Sequence, residues 1–445
     1  GVITGGCAGT ENENPLLGEF NTPYGTPSFN QIKLEHYMPA FEEGIRQSKA
    51  EVEAIANNSD EPTFENTIEA LERQGELLTR VATVFFALNA AETSDEMDNI
   101  ANKFMPMLTE LQNSISLNPQ LFERVKTVHD YYYGQQWDED PLGSPEKWML
   151  LKETYNSFVR NGAGLNEEDK QRYREITTEL STLSLKFGQN VLAETNAFTL
   201  NIPVADSAKV AGLPSFVRDG MAAEAKERGE EGWTVTLQVP SYLPFMTYST
   251  DRELKEKLWR VRGALCNNDG ATGNKANVKR ISELRLRLAN LLGYNTYADY
   301  ELEERMAGST ATVDGFLDEL LVKTYGWAKD DYNQVAGYAK TSPGGGYDMM
   351  PWDYSYWSEK YKNAHYDLNE EEVKPYFRLE NAQKGVFMLA EKLFGITFRK
   401  NPQIQVYHKD VKAYEVLDKD GSLLSVLYMD YFQLSSKRGG AWMTT

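Results

Sequence analysis

From about residue 36 to residue 394, apolar side chains recur at spacings of three, four and seven with few interruptions. That is the period of an α-helix buried on one side. It commits the chain to helix-on-helix packing and leaves little room for sheet. Glu35 to Ala56 carries Phe41, Ile45, Val52 and Ile55 at this spacing, and Thr63 is placed to cap a helix through Ile68, Leu71, Leu78, Val81 and Phe85. Asn118-Pro119 and Ser144-Pro145 each put a capping side chain before a proline at the first helical position. Asn166 opens a long helix through Ile176, Leu180, Leu183 and Phe187, and Thr250-Asp-Arg-Glu253 reads as a capping box. Further helices fit 272–292, 311–340 and 376–394.

Strand signals are sparse. "AFTLNIP" (197–203) and "WTVTLQVP" (233–240) alternate and are expected to pair, with one helix over 214–229 between them. In the last 50 residues "ITFRKN", "VKAYEVLD" and "SLLSVLYMDYF" are β-rich, and Asp418-Lys-Asp-Gly421 supplies a turn. The fold class is therefore mainly α: a large helical body, a few short strands, and the start of a small mixed β-sheet near the C-terminus. No fixed-period repeat points to a solenoid. The division read from the sequence is a leader and linker over 1–20, a helical region with a β pair over 21–250, and a helical region leading into strands over 251–445.

The formal charge of −20 repels phosphate backbones and argues against nucleic-acid binding. No apolar run reaches the ~18 residues of a membrane span. The two cysteines, Cys7 and Cys266, cannot build a disulfide framework or a cysteine zinc site. Cys7 follows small residues and precedes a polar Asn/Glu-rich linker, which resembles the tail of a bacterial lipoprotein signal. Thr4 stands where that pattern usually has Leu. The expectation is a lipid anchor at Cys7 and a place in the bacterial cell envelope, with the cytoplasm as the alternative.

No complete catalytic set can be read from the residues alone. His36, His129, His365 and His408 include no pair four apart, so no helix can offer two imidazoles to one zinc ion. There is no G-x-S-x-G elbow. Cys266 has no histidine nearby in sequence and reads as a small buried hydrophobe. Gly344-Gly345-Gly346 lacks the Lys-Ser/Thr of a phosphate loop.

Several stretches, in order along the chain, resemble the zinc oligopeptidases that include thimet oligopeptidase and bacterial peptidyl-dipeptidase. They are "NPLLGEFNTPYGTPSFNQIKLEHYMPAFEEGI" (14–45), "EPTFENTIEALE" (61–72), "NLLGYNTYADYELEERMA" (290–307), "PWDYSYWSEKY" (351–361), "VKPYFRLENAQKGVFMLAEKLFGITF" (373–398) and "LLSVLYMDYFQLSSKRGGAWM" (423–443). The opening segment favours the peptidyl-dipeptidase branch. The resemblance implies a zinc metallopeptidase that removes dipeptides from the C-termini of short peptides. It also implies that the H-E-x-x-H helix follows after "GGAW", so the expectation is a chain that stops before the catalytic portion. Such a chain would contribute the substrate channel, and alone would neither hold the family zinc nor cleave. Gly439, Gly440, Ala441 and Trp442 are the candidate substrate-lining residues, as an edge strand that pairs with an extended peptide. Lys437 and Arg438 read as a solvated basic pair or a steering pair for an acidic terminus. A non-catalytic, lipid-anchored helical protein that binds peptides or a partner is the alternative reading.

Overall fold

The computed structural model describes residues 14–366 and 370–444. Cys7 lies outside them. The chain forms two compact units. The first comprises Gly1–Thr182, Phe387–Lys437 and Met443–Thr445, and the second Leu183–Val386 and Arg438–Trp442.

In the first unit, the helices are α1 (Tyr37–Ala56), α2 (Ala70–Arg73), α3 (Glu76–Ala91), α4 (Asp95–Ser116), α5 (Pro119–Tyr133), α6 (Pro145–Arg160) and the opening of α7 (Glu167–Ala197). Thr63 accepts from the Asn66 amide and starts the run, as its sequence predicts. The single helix expected from there to Phe85 is broken, however. Gly75 takes φ 73° and restarts the chain at α3, a left-handed conformation that glycine adopts without a Cβ penalty. Asn118 caps α5 by accepting from the Leu121 amide at 3.0 Å. Ser144 does not cap α6; its hydroxyl donates to Glu146 instead. The core is aromatic on one side, where Phe41 stacks on Phe104 at 3.6 Å and meets Phe85 edge-on. On the other side Phe64, Ile68, Leu121, Val125 and Leu151 are buried together.

The second unit holds the rest of α7, then strands β1 (Thr199–Ile202) and β2 (Trp233–Thr236), and helices α8 (Ser215–Glu227), α9 (Val239–Tyr248), α10 (Arg252–Gly263), α11 (Lys275–Leu291), α12 (Tyr297–Leu302), α13 (Thr310–Thr341), α14 (Tyr354–Tyr366) and α15 (Glu370–Val373). β1 and β2 pair antiparallel, with Leu200 opposite Val235, and α8 lies between them in sequence. Their inward residues form a core with Val217, Phe245, Leu258 and Trp352. α10 is capped one residue later than its sequence suggests: Asp251, not Thr250, accepts from the Leu254 amide at 3.0 Å.

The chain re-enters the first unit within α16 (Leu379–Phe394) and makes β3 (Thr397–Lys400), β4 (Lys412–Leu417) and β5 (Leu423–Met429), in the order β3-β4-β5. The sheet is antiparallel throughout rather than mixed. Gly421 at φ 83° closes the expected turn between β4 and β5. This unit is stitched across sequence by Glu415, which is almost fully buried. Its carboxylate accepts from Tyr24 Oη at 2.6 Å, from Asn401 Nδ2 at 2.7 Å and from Arg399 Nε. The Tyr24 and Arg399 hydrogen bonds hold its pKa below the usual carboxylate value. No described helix is long and apolar enough to cross a membrane.

Candidate functional site

The segment after β5 carries the candidate peptide-binding residues, and two parts of the stretch 423–443 quoted above meet there. Asp430 of "YMDYF" accepts from Lys437 Nζ of "KRGGAW" at 2.5 Å. The same ammonium donates to the Phe432 carbonyl at 2.5 Å. Tyr407 Oη donates to the other Asp430 oxygen at 2.9 Å, and burial raises the Tyr407 pKa, with the Asp430 bond adding to it. The Thr93 amide donates to the Ser436 carbonyl at 2.8 Å. Lys437 is only 6% exposed. It is therefore neither the solvated charge nor the steering charge that sequence suggests. It closes residues 430–437 into a loop fixed to the first unit.

Beyond that lock, Gly439, Gly440, Ala441 and Trp442 are exposed and lie outside every strand. The expected strand is not formed: among the described residues none pairs with them, and Gly440 at φ 106° interrupts an extended backbone. A Cβ at Gly439 or Gly440 would meet nothing within 4 Å, so neither glycine is required here by packing. Arg438 lies over the Trp442 ring, 4.8 Å from its centroid. The arrangement is an open, side-chain-poor stretch bounded by an arginine-covered indole. Its backbone groups belong to no sheet, whereas an added peptide strand pairs with an exposed sheet edge.

In the second unit, the acid of "PWDYSYW" forms an ion pair with α10. Asp353, fully buried, takes a forked pair of hydrogen bonds from Arg252: Nε at 3.0 Å and Nη2 at 2.9 Å. It also accepts from the Met350 amide at 2.9 Å. The guanidinium lies over Tyr347 at 4.3 Å. One turn along α10, Lys255 is 1% exposed with its ammonium 4.3 Å from the Tyr356 ring centroid. Burial pulls its pKa down to about 8. Arg252 and Lys255 escape a sequence reading because they look like ordinary charges on an amphipathic helix. The signal was the partner, a single acid inside an aromatic run.

The histidines are occupied locally. His129 stacks on Tyr155 at 3.7 Å and His365 on Tyr361 at 3.9 Å. His36 and His408 accept backbone amides through Nδ1. Cys266 is buried, and burial followed by the nearby Glu194 carboxylate pushes its thiol up to about 11. It is an un-ionised thiol at neutral pH, as a small hydrophobe should be. Among the described residues no group of three or more His, Cys, Asp or Glu could hold a metal ion. They do not fit a zinc site.

Residues 245–445 match Peptidase family M3. Over 97% of its length the chain is 37% identical to the dipeptidyl carboxypeptidases of Escherichia coli and Salmonella typhimurium, covering 62% of each. It is 31% identical to Escherichia coli oligopeptidase A, again over 97% of this chain and 62% of that one. The chain thus spans about three fifths of the length of the curated relatives it matches. Along nearly all of its own length it is similar to dipeptidyl carboxypeptidase and oligopeptidase A, with the family M3 pattern in residues 245–445.

Proposed function

We propose that this chain forms the peptide-admitting portion of a zinc peptidase that releases dipeptides from the C-termini of short peptides. The observation that carries the reading is the 37% identity to dipeptidyl carboxypeptidase over 97% of the chain. The family M3 match supports it. Zinc, when bound, supplies a water ionisable near neutral pH, which peptide hydrolysis requires. These 445 residues hold no H-E-x-x-H, so the proposal assigns zinc and cleavage to polypeptide other than this chain. It assigns backbone recognition to Gly439, Gly440, Ala441 and Trp442. Cys7 is proposed as an acylated anchor in the bacterial envelope; incorporation of labelled palmitate that is lost in Cys7→Ser checks it.

The first experiment reads the coding sequence beyond codon 445. An H-E-x-x-H there sustains the proposal, and a frame that lacks it overturns it. The product of the whole frame is then expected to shorten a pentapeptide by two residues from its free C-terminus, followed by mass spectrometry. Removal of single residues, or cleavage that ignores the C-terminus, would refute the dipeptidase assignment.

A further inference from the structure

Helix α13 is 32 residues long, about 48 Å. Ser309 caps it, accepting from the Thr312 amide at 3.2 Å. Only its last turns are packed, where Val335 and Ala339 join Met349 and Trp357 in a small core. From Asp314 to Gln334 every residue is exposed. That stretch is not polar. Val313, Phe316, Leu317, Leu320, Leu321 and Trp327 fall at helical spacing on one side, and from Phe316 to Trp327 these five are 42–79% exposed. Asp318, Glu319, Lys329 and Asp330 fall on the other side with the exposed Val322 and Tyr325, and Lys323 borders the stripe. The stripe runs roughly 20 Å along the axis. Helices in proteins draw most of their stability from packing such a face, and monomers seldom leave a contiguous apolar patch of this extent bare.

Two observations say what covers it. Among the described residues, most of the large apolar side chains left exposed come after residue 305, whereas those before it are mostly buried or half-buried. The deficit therefore falls within the stretch that matches family M3, and relatives of the same kind have further polypeptide, of which this chain spans only 62%. Charge then selects against a second copy. Between 310 and 334 there are five acidic residues and two lysines. Two copies packed through this segment would each bring its net charge of −3, five acids less two lysines, on chains that each carry a formal charge of −20.

We infer that the apolar face of α13, Val313 to Trp327, is the docking surface for an apolar helix face flanked by basic residues, contributed by the part of a dipeptidyl carboxypeptidase-like polypeptide that this chain does not span. The inference rests on the proposed function for the identity of the partner. Its test does not depend on catalysis. The 445-residue chain is coexpressed with the portion of Escherichia coli dipeptidyl carboxypeptidase left outside the match, and hydrogen exchange is read by mass spectrometry. The two should copurify one to one, with amides 313–332 exchanging at least ~100-fold more slowly than in the chain alone. Leu317→Glu with Leu321→Glu should abolish copurification. Val322→Glu, on the opposite side of the helix, should leave it intact. Failure to copurify, copurification without slowing in α13, or equal damage from Val322→Glu overturns the inference. So does a dimer of the chain alone that protects α13, since the occupant would then be a second copy. A complex that forms with α13 protected but cleaves no peptide would sink the proposed activity and leave the docking surface standing.

Discussion

Lys255 shows how a single side chain can be held against its own preference. Its folded pKa of about 8 lies below the 10.5 of a free lysine. Below pH 8 both folded and unfolded chains carry the proton, and the desolvation cost is fully present. Between about pH 8 and 10.5 the unfolded chain keeps a proton that the folded one has lost, so stability rises with pH. The shift corresponds to roughly 2–4 kcal/mol. Lys255→Met is expected to raise stability at pH 7 by about 1–3 kcal/mol, because a packed apolar chain replaces a buried charge. It should also flatten the rise between pH 8 and 10.5, measured as urea midpoints across that range. Gly439 and Gly440 test the peptide-binding assignment unequally. Gly440→Val would strain a φ of 106°, whereas Gly439 has open space and no such φ. In the active protein Gly439→Val should raise the peptide KM about tenfold, equivalent to ~1.4 kcal/mol. An unchanged KM at unchanged stability would remove Gly439 from the site.

Between elements, the Arg252–Asp353 pair joins α10 to the start of α14, and its two ends are not equivalent. Asp353 is fully buried while the Arg252 side chain is 38% exposed. Arg252→Ala strands a buried carboxylate with one backbone donor, and should cost about 3–5 kcal/mol in urea denaturation. Asp353→Asn leaves a cation that water can reach, and should cost less, about 1–2 kcal/mol. Equal losses would mean that the pair acts through shape alone. At this scale the sequence is readable where a local rule decides. Thr63, Asn118 and Gly421 do what their residue types predict, and β1 and β2 find each other across an intervening helix. The rules fail where two local choices are nearly equal. Thr250 and Asp251 can both cap, and the helix uses Asp251. Helical spacing continues on both sides of Gly75, so the periodicity hides the break. The glycines of "GGAW" suggest an edge strand open to another backbone, but a strand needs a neighbour, and none of the described residues pairs with it. Lys437 looked solvated because its partner lies seven residues upstream, across a loop with no signature of its own.

For the molecule as a whole, the family resemblance was legible because the motifs that carry it are structural. Asp353 and Asp430 anchor ion pairs in two different units, and loss of the Asp430 charge would leave the buried Lys437 cation unpaired. Those motifs mark the scaffold and say nothing of the metal. The purified 445-residue chain is accordingly expected to hold less than 0.1 equivalent of zinc after dialysis at pH 7, by plasma mass spectrometry, and to leave peptides uncut. Stoichiometric zinc would show a ligand set assembled outside the described residues. The interrupted make-up of the first unit has a further consequence for how such a protein comes into being. Its helices up to Thr182 leave the ribosome about 200 residues before Phe387 to Lys437, which supply its sheet. At about 5–20 residues per second, that interval lasts roughly 10–40 s. Throughout it, the acceptors for Tyr24 and the Thr93 amide do not yet exist. The nascent first unit therefore spends that interval without the strands that pair with it, exposed to aggregation and proteolysis before its last contacts can form.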